Sequence, residues 1–274
     1  MSPRVVLRRA LACLVVLAAA PTARASSDAA ADADAWRLDF SEQGPHDVSV
    51  ARVAILRAPP AIPTDGGVPT TGGEPGEVAV YFPTSPTRTA RERGGEKLAC
   101  VLFAHPTHGY RFETWASNNA KLLTHLASRG VVVVTPTRVG ELSGAGADAP
   151  IAGGLLPGAQ FVRTLFPRYQ RFLLHALSQV MRRSETRDDG FFAPLRGAID
   201  PFRAATMGFS VGGALAIYVA EEAQRAMPGR VKAVVALAPT VGDIEYGEEQ
   251  FALRAHRLTT PLLMTAGRND GAFI

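Results

Sequence analysis

Four short apolar runs constrain the fold of this chain more than any other feature. Each is seven to nine residues long and almost continuously apolar, rather than alternating between apolar and polar positions. Such runs are typical of strands covered on both faces, as in a parallel sheet between two layers of helices. They are ACVLFAH (99–105), VVVVTPT (131–137), VKAVVALAP (231–239) and PLLMTAG (261–267), and a fifth strand is predicted at ATMGF (205–209).

Helical patterns separate these strands. Residues 115–129 place Trp115, Leu122, Leu123 and Leu126 on one face and Lys121, His125 and Ser128 on the other. Residues 163–183 carry an apolar stripe, and GGALAIYVAEEAQRA forms a third helix of small and apolar residues. An amphipathic helix between two buried strands is a crossover connection. We therefore predict a doubly wound, mostly parallel α/β sheet.

The residues before this alternation predict a hairpin. Two strands are expected at 48–57 and 77–84, and the stretch between them, 58–77, is too rich in Pro, Gly and Thr to be anything but a loop. We expect these strands to pair in the antiparallel direction. A second irregular segment, Gly- and Ala-rich, covers 138–160.

The N-terminus reads as a secretory signal. Residues 1–25 contain a basic start, an apolar run too short to cross a bilayer and an Ala-Arg-Ala end, so we expect cleavage before Ser26. Residues 26–43 are then a mobile leader, and 44–274 form the domain. This predicts a secreted or periplasmic protein without a stable membrane anchor; an organelle transit peptide is the alternative.

Charge and cysteine content exclude several function classes. The signal holds four arginines of the 29 basic residues, and removing them leaves 25, equal to the 25 acidic residues. A neutral chain gives no electrostatic argument for binding nucleic acid or anionic membrane. The expected mature chain keeps one cysteine, Cys100, so it forms no intrachain disulfide and no cysteine-based metal site.

The pentapeptide Gly208-Phe209-Ser210-Val211-Gly212 has the G-x-S-x-G pattern and lies between a predicted strand and a predicted helix. A sharp strand-to-helix turn holds its central residue in a strained backbone, and glycines two residues away let the neighbouring chain pass. We interpret Ser210 as a nucleophile in such an elbow. The alternative is a small residue in a structural Gly-Ser turn.

These features together resemble the α/β-hydrolase superfamily over residues 44–274. The similar stretches are LFAHPTHGYRFETWASNNAKLLTHLASRGVVVVTP, the elbow and PLLMTAGRND. The branch most similar holds chlorophyllases, cutinase-like polyester hydrolases, platelet-activating-factor acetylhydrolases and dienelactone-hydrolase-like proteins. Three departures concern substrate class: Phe209 stands where His is usual, HPTHGY is longer than the corresponding loop, and Thr137 replaces an acidic or amide residue.

The resemblance implies roles for further residues. The backbone N–H of Val211 and of Tyr110, in His108-Gly109-Tyr110, would form the oxyanion hole. Asp270, in Gly-Arg-Asn-Asp, would be the acid that orients a catalytic histidine, or else an aspartate in a polar turn. No metal or organic cofactor is implied.

The histidine of such a triad follows the acid in chain order, and none follows Asp270. His105 and His108 are expected at the correct sheet edge but on the oxyanion side of the serine, and His256 at the opposite edge. The chain contains three others: His46 in the N-terminal extension, and His125 and His175 on polar helix faces. We therefore expect a C-terminally incomplete domain that lacks its last strand, its last helix and the catalytic base.

The sequence thus predicts a secreted serine carboxylester hydrolase that works through an acyl-enzyme and acts on a small-molecule or lipid-like ester. As one alternative, it is a non-catalytic binding protein with the same fold. As another, it is a dienelactone hydrolase-like enzyme or a perhydrolase.

Overall fold

A computed structural model describes residues 43–55, 76–92, 94–106, 119–138, 166–185, 190–239 and 254–265. Seven strands lie in these ranges: β1 (Val48–Ile55), β2 (Gly76–Pro83), β3 (Leu98–Ala104), β4 (Val131–Arg138), β5 (Ile199–Phe209), β6 (Val231–Leu237) and β7 (Leu262–Thr265). The helices are α1 (Pro86–Glu92), α2 (Ala120–Ser128), α3 (Phe166–Glu185) and α4 (Val211–Ala226), with a 3-10 helix at Gly190–Leu195.

The described strands form one mixed, mostly parallel sheet in the order β1-β2-β4-β3-β5-β6-β7. β1 pairs with β2 and β2 with β4 in the antiparallel direction, whereas β4, β3, β5, β6 and β7 are parallel. The predicted doubly wound α/β sheet and its N-terminal hairpin are therefore confirmed. All five parallel strands end at the same side of the sheet, which we call the C-terminal edge.

Each face of the sheet has its own apolar core. α3 and α4 cover one face, where Leu173, Leu177 and Ile217 are completely buried. α2 covers the other face through Leu123 and Leu126, as its predicted apolar stripe requires. Because side chains alternate along a strand, the continuous apolar runs supply both cores at once. Cys100 in β3 is fully buried, and burial raises the pKa of its thiol to about 12.

Two strand predictions need correction. β5 begins at Ile199 rather than at 205, because Ile199 already pairs with Leu98 on β3. The register then shifts, and pairing resumes at Ala204 after the Pro-containing segment 200–203. β7 is only partly buried, with Met264 50% exposed, although its run predicted a strand covered on both faces. Within the described residues β7 is hydrogen-bonded to β6 and ends the sheet, and an end strand has fewer neighbours to cover it.

The polar face of α2 also differs from its prediction at Ser128. This side chain is buried rather than solvated, and its hydroxyl accepts a hydrogen bond from the Gly44 N–H at 2.8 Å. The Ser128 carbonyl accepts the His46 N–H at 3.1 Å. A Cβ on Gly44 would lie 2.3 Å from that carbonyl oxygen, so the residues before β1 pass the end of α2 at backbone contact distance.

Within the described ranges, no helix combines the length and the apolar character needed to cross a membrane.

Candidate active site

Ser210 occupies the single residue between β5 and α4, at the C-terminal edge. Its φ is 57° and its ψ −126°, and Ser210 and Ala238 are the two non-glycine residues with positive φ in the described part of the chain. A side chain with a Cβ rarely adopts this region, and it persists only where the surroundings enforce it. The strand thus turns into a helix within one residue, as the spacing of the glycines predicts.

The glycines on either side of the turn allow two backbone segments to meet. A Cβ on Gly208 would lie 2.0 Å from the Gly212 carbonyl oxygen. A Cβ on Gly212 would lie 2.2 Å from the carbonyl oxygen of Ala104 and 2.7 Å from that of His105. Because every obstructing atom is backbone, no side-chain rotation relieves these contacts. The absence of a Cβ at Gly208 therefore lets the end of β5 pack against the first turn of α4. The absence of a Cβ at Gly212 lets that turn pack against the end of β3.

Hydrogen bonds hold the turn from both sides. The Ser210 N–H donates to the Leu237 carbonyl on β6 at 2.9 Å, and the Ser210 carbonyl accepts from Gly213 and Ala214 in α4. The N–H of Val211 therefore belongs to the first turn of α4, where backbone donors have no intrahelical partner. These donors and the helix dipole favour negative charge next to Ser210. An oxyanion hole that uses the Val211 N–H, as expected from the sequence, requires this environment.

The end of β6 contributes a second strained residue. Ala238 has φ 40°, and its N–H donates to the Thr265 carbonyl at the end of β7 at 2.7 Å. A Cβ on Gly213 would lie 3.0 Å from the Pro239 Cα, so this turn also packs against the start of α4. Backbone hydrogen bonds therefore join the end of β5 to the end of β6, and the end of β6 to the end of β7, beside Ser210. The sequence of this turn, Ala238-Pro239, contains no glycine or asparagine that would predict a positive φ.

α4 is tied to the segment that leads into β7. Glu221 is 3% exposed, and its carboxylate accepts hydrogen bonds from Arg225 and from Arg254, each at 2.9 Å. The Arg254 guanidinium also lies 4.7 Å from the centre of the Tyr218 ring. Arg254 begins a helical turn at 254–257, directly before β7. These contacts fix the elbow helix relative to the strand whose following residues include Asp270.

His105 follows β3 directly and is completely buried below the elbow. Its Nε2 lies 2.9 Å from the Pro136 carbonyl oxygen and 2.8 Å from the Thr135 hydroxyl. Its backbone N–H donates to the Tyr169 hydroxyl of α3 at 3.1 Å. The hydrogen bonds of His105 therefore join the end of β3 to β4 and to α3.

The hydrogen bonds also determine the tautomer of His105. A carbonyl oxygen only accepts, so Nε2 carries the hydrogen and donates it. Thr135 donates its own hydrogen to the Phe103 carbonyl at 3.2 Å, which leaves its oxygen to accept from Nε2. Burial lowers the pKa of His105 to about 4, while the bond to Pro136 acts in the opposite direction. The ring is therefore neutral at pH 7, with Nε2 engaged as a donor.

The other described histidines lie away from Ser210. His125 and His175 are on α2 and α3, and burial together with Arg129 lowers the pKa of His125. His46 lies 3.8 Å from Glu92 before β1, and the exposed His256 precedes β7. Both are at the edge opposite the elbow, where His256 was expected.

Of the predicted site residues, Gly208, Ser210, Val211 and Gly212 lie in the described part of the chain, and the structure brings them together at the elbow. Tyr110 and Asp270 lie outside the described residues, as does His108. Their predicted roles stay predictions. In the described part, no group of three His, Cys, Asp or Glu side chains is placed to hold a metal ion.

The strand order and the strained serine at a strand-to-helix elbow decide the fold. It is an α/β-hydrolase fold.

Comparison with known proteins finds similarity at the level of structure only. No protein-family profile matches the sequence, and no curated protein matches it. Similar solved structures include the esterase Est22 at 16% identity and TM-score 0.47, covering 88% of this chain and 61% of that one. An esterase from Rhizomucor miehei has 14% identity and TM-score 0.44, covering 94% and 63%.

A hyperthermophilic esterase from Pyrobaculum calidifontis has 18% identity and TM-score 0.42, covering 93% of this chain and 64% of that chain. The chain therefore spans less than two thirds of the length of these structures.

Proposed function

We propose that this protein is a serine carboxylester hydrolase with Ser210 as its nucleophile. The observation that carries the proposal is the backbone of Ser210, a non-glycine residue held at φ 57° between a buried strand and a helix N-terminus. A folded chain keeps such a conformation only at a cost of about 1–3 kcal/mol, and such residues cluster at functional sites.

The proposed reaction uses two steps on one serine. The Ser210 Oγ attacks the ester carbonyl carbon while a histidine takes its proton, and the resulting oxyanion accepts hydrogen bonds from backbone N–H groups. The carbon–oxygen bond to the alcohol then breaks, and the histidine returns the proton to that alcohol. Water attacks the acyl-serine in the same way, which releases the acid and restores the Ser210 hydroxyl.

The chain's residues have distinct proposed roles in this reaction. The Val211 N–H, in the first turn of α4, would be one oxyanion donor and the Tyr110 N–H the second. Asp270 would orient the histidine. His105 is unsuited to be that base, because it is completely buried and its low pKa leaves it weakly basic. The base is therefore proposed to be a histidine other than the five in the described residues.

Chemical labelling tests the nucleophile. A fluorophosphonate probe should phosphonylate the full-length protein, and peptide mapping should place the adduct on Ser210. Ser210→Ala should remove the labelling, whereas Ser49→Ala should not, because that exposed hydroxyl contacts Thr84 on the hairpin, away from the elbow. Labelling that persists in Ser210→Ala would contradict the assignment. A protein that binds ester analogues without forming an adduct would favour a binding protein instead.

We further propose that the protein is exported and that, within its class, it belongs with the chlorophyllase and cutinase-like esterases that its sequence resembles. Intact-mass measurement of exported protein tests the first proposal, with Ser26 as the expected first residue. Relative rates on pigment, polyester and short-chain esters test the second.

A further inference from the structure

The residue before the nucleophile, Phe209, is the one large apolar side chain in the described part of the chain that is both exposed and directly next to Ser210. It is 45% exposed, whereas the five preceding residues of β5 are all buried. Three other large apolar side chains have comparable exposure, and they are Val50, Phe202 and Met264.

The position of Phe209 in the sheet explains this exposure. Side chains alternate along a strand, so Phe209 shares a face with Met207, which is completely buried. Phe209 also pairs with Leu237 on β6, which in turn pairs with Thr265 on β7. Phe209 is therefore in the last row of its face, where the sheet meets the C-terminal edge and the elbow begins.

The elbow also prevents Phe209 from moving away from Ser210. The glycine before it meets the Gly212 backbone at contact distance, and the residue after it is hydrogen-bonded to Leu237. The backbone on both sides is thus held, so Phe209 stays at the position directly before the nucleophile without a conformational change. A residue whose backbone is held in this way loses less freedom on binding a ligand than a residue of a mobile loop.

The ring offers no charge and no hydrogen-bond donor, so it matches an uncharged apolar group. We propose that Phe209 is a specificity-determining residue that packs against an apolar chain of four or more carbons on the ester. This inference rests on the proposed function and names its substrate class. The apolar chain belongs either to the acyl group or to the alcohol, and the ring recognises the same chemistry in both cases.

The size of the effect follows from the exposed area. A phenylalanine side chain presents roughly 200 Å², so an exposure of 45% leaves roughly 90 Å² in contact with water. The apolar chain of a bound ester would cover about half to two thirds of that area. At about 25 cal/mol per Å², this changes kcat/KM by about tenfold, which corresponds to ~1.4 kcal/mol.

The test compares Phe209→Ala with Phe202→Ala. Phe202 lies on the same strand and is 56% exposed, but it is near the other end of β5, with the Arg230 guanidinium 5.6 Å from its ring centre. One arm uses p-nitrophenyl acetate, butyrate and octanoate, and the other uses methyl, butyl and octyl acetate. Urea unfolding of both variants controls for damage to the fold.

We expect Phe209→Ala to lower kcat/KM for the eight-carbon member of one arm by about tenfold. For the shortest member of each arm, p-nitrophenyl acetate or methyl acetate, kcat/KM should change less than about twofold. The arm that responds identifies the acyl or the alcohol side. Phe209→Leu should keep most of the preference, and Phe202→Ala should keep all of it. These results together would support the inference.

Two outcomes would overturn the inference. If the wild-type protein reacts with fluorophosphonate at Ser210 but Phe209→Ala lowers all rates equally, or none, Phe209 does not select the substrate and only this inference fails. If the wild-type protein neither reacts with fluorophosphonate nor hydrolyses any ester, the proposed function fails and the inference with it.

Discussion

Adding one methyl group at Gly212 should damage this protein far more than adding one at Gly213, the next residue of the same helix. The Gly212→Ala Cβ would lie 2.2 Å from the Ala104 carbonyl oxygen and 2.7 Å from that of His105. The Gly213→Ala Cβ would meet its nearest atoms at 3.0–3.1 Å, which requires a shift of a few tenths of an ångström.

The magnitude follows from which atoms must move. At Gly212 the obstacles are backbone atoms at the end of β3, so relief requires α4 and β3 to separate by about 1 Å. Overpacking of this kind costs about 1–3 kcal/mol and sometimes more, and alanine recovers up to ~1 kcal/mol through its helix propensity. Because the obstacles at Gly212 are backbone atoms that no rotamer change can move, the cost lies at the upper end of this range. About 3 kcal/mol less a gain of up to ~1 kcal/mol gives a net loss of about 2–3 kcal/mol for Gly212→Ala. For Gly213→Ala we expect a change within about 1 kcal/mol.

Urea unfolding, followed by circular dichroism, measures this difference directly. A loss of 2–3 kcal/mol corresponds to a melting temperature lower by roughly 4–12 °C in a protein of this size. Fluorophosphonate labelling at a temperature where both variants are folded should also be slower in Gly212→Ala, since β3 ends where the second oxyanion donor is expected. Equal unfolding midpoints for the two variants would refute the proposed close contact between the elbow and β3.

Three further predictions concern the groups around the elbow. Ala238→Gly should raise the free energy of unfolding by ~0.5–1 kcal/mol because it relieves a φ of 40°. Ala236→Gly, one residue before the end of β6, should lower it. The opposite order of the two urea unfolding midpoints would contradict the strain at Ala238. As pH falls from 6.5 to about 4, the unfolded state takes up a proton before the buried His105 does, so stability should fall by roughly 3 kcal/mol. His105→Gln should remove this part of the pH dependence of urea unfolding, and an unchanged slope would count against it. Glu221→Ala should lower the free energy of unfolding by about 2 kcal/mol, measured in the same way, because two arginines lose a buried partner.

The sequence alone predicted the central strands and the strand-to-helix elbow, because both depend on short-range patterns. Continuous apolar runs need cover on two faces, so they specify strands of a parallel sheet, and β3, β4 and β6 lie where those runs do. The spacing of Gly208, Ser210 and Gly212 indicates a local steric constraint. The structure shows the same constraint, because a Cβ on Gly208 or Gly212 would lie 2.0 or 2.2 Å from a backbone carbonyl oxygen. Such features are readable in one dimension because the residues that interact are close in the chain.

What the tertiary structure decided depends on neighbours that are distant in the chain. The apolar pattern of β7 indicated a fully covered strand, but cover is a property of the elements beside it, and Met264 is half exposed. The start of β5 depends on pairing with Leu98, and the burial of Ser128 depends on Gly44, 84 residues away. The neutral state of His105 comes from its burial. The position of its hydrogen comes from β4, where Thr135 and Pro136 lie within hydrogen-bond distance of Nε2. A single sequence lists these groups without their distances, and the hydrogen bonds and dielectric surroundings that set their chemistry exist only once the sheet has brought them together.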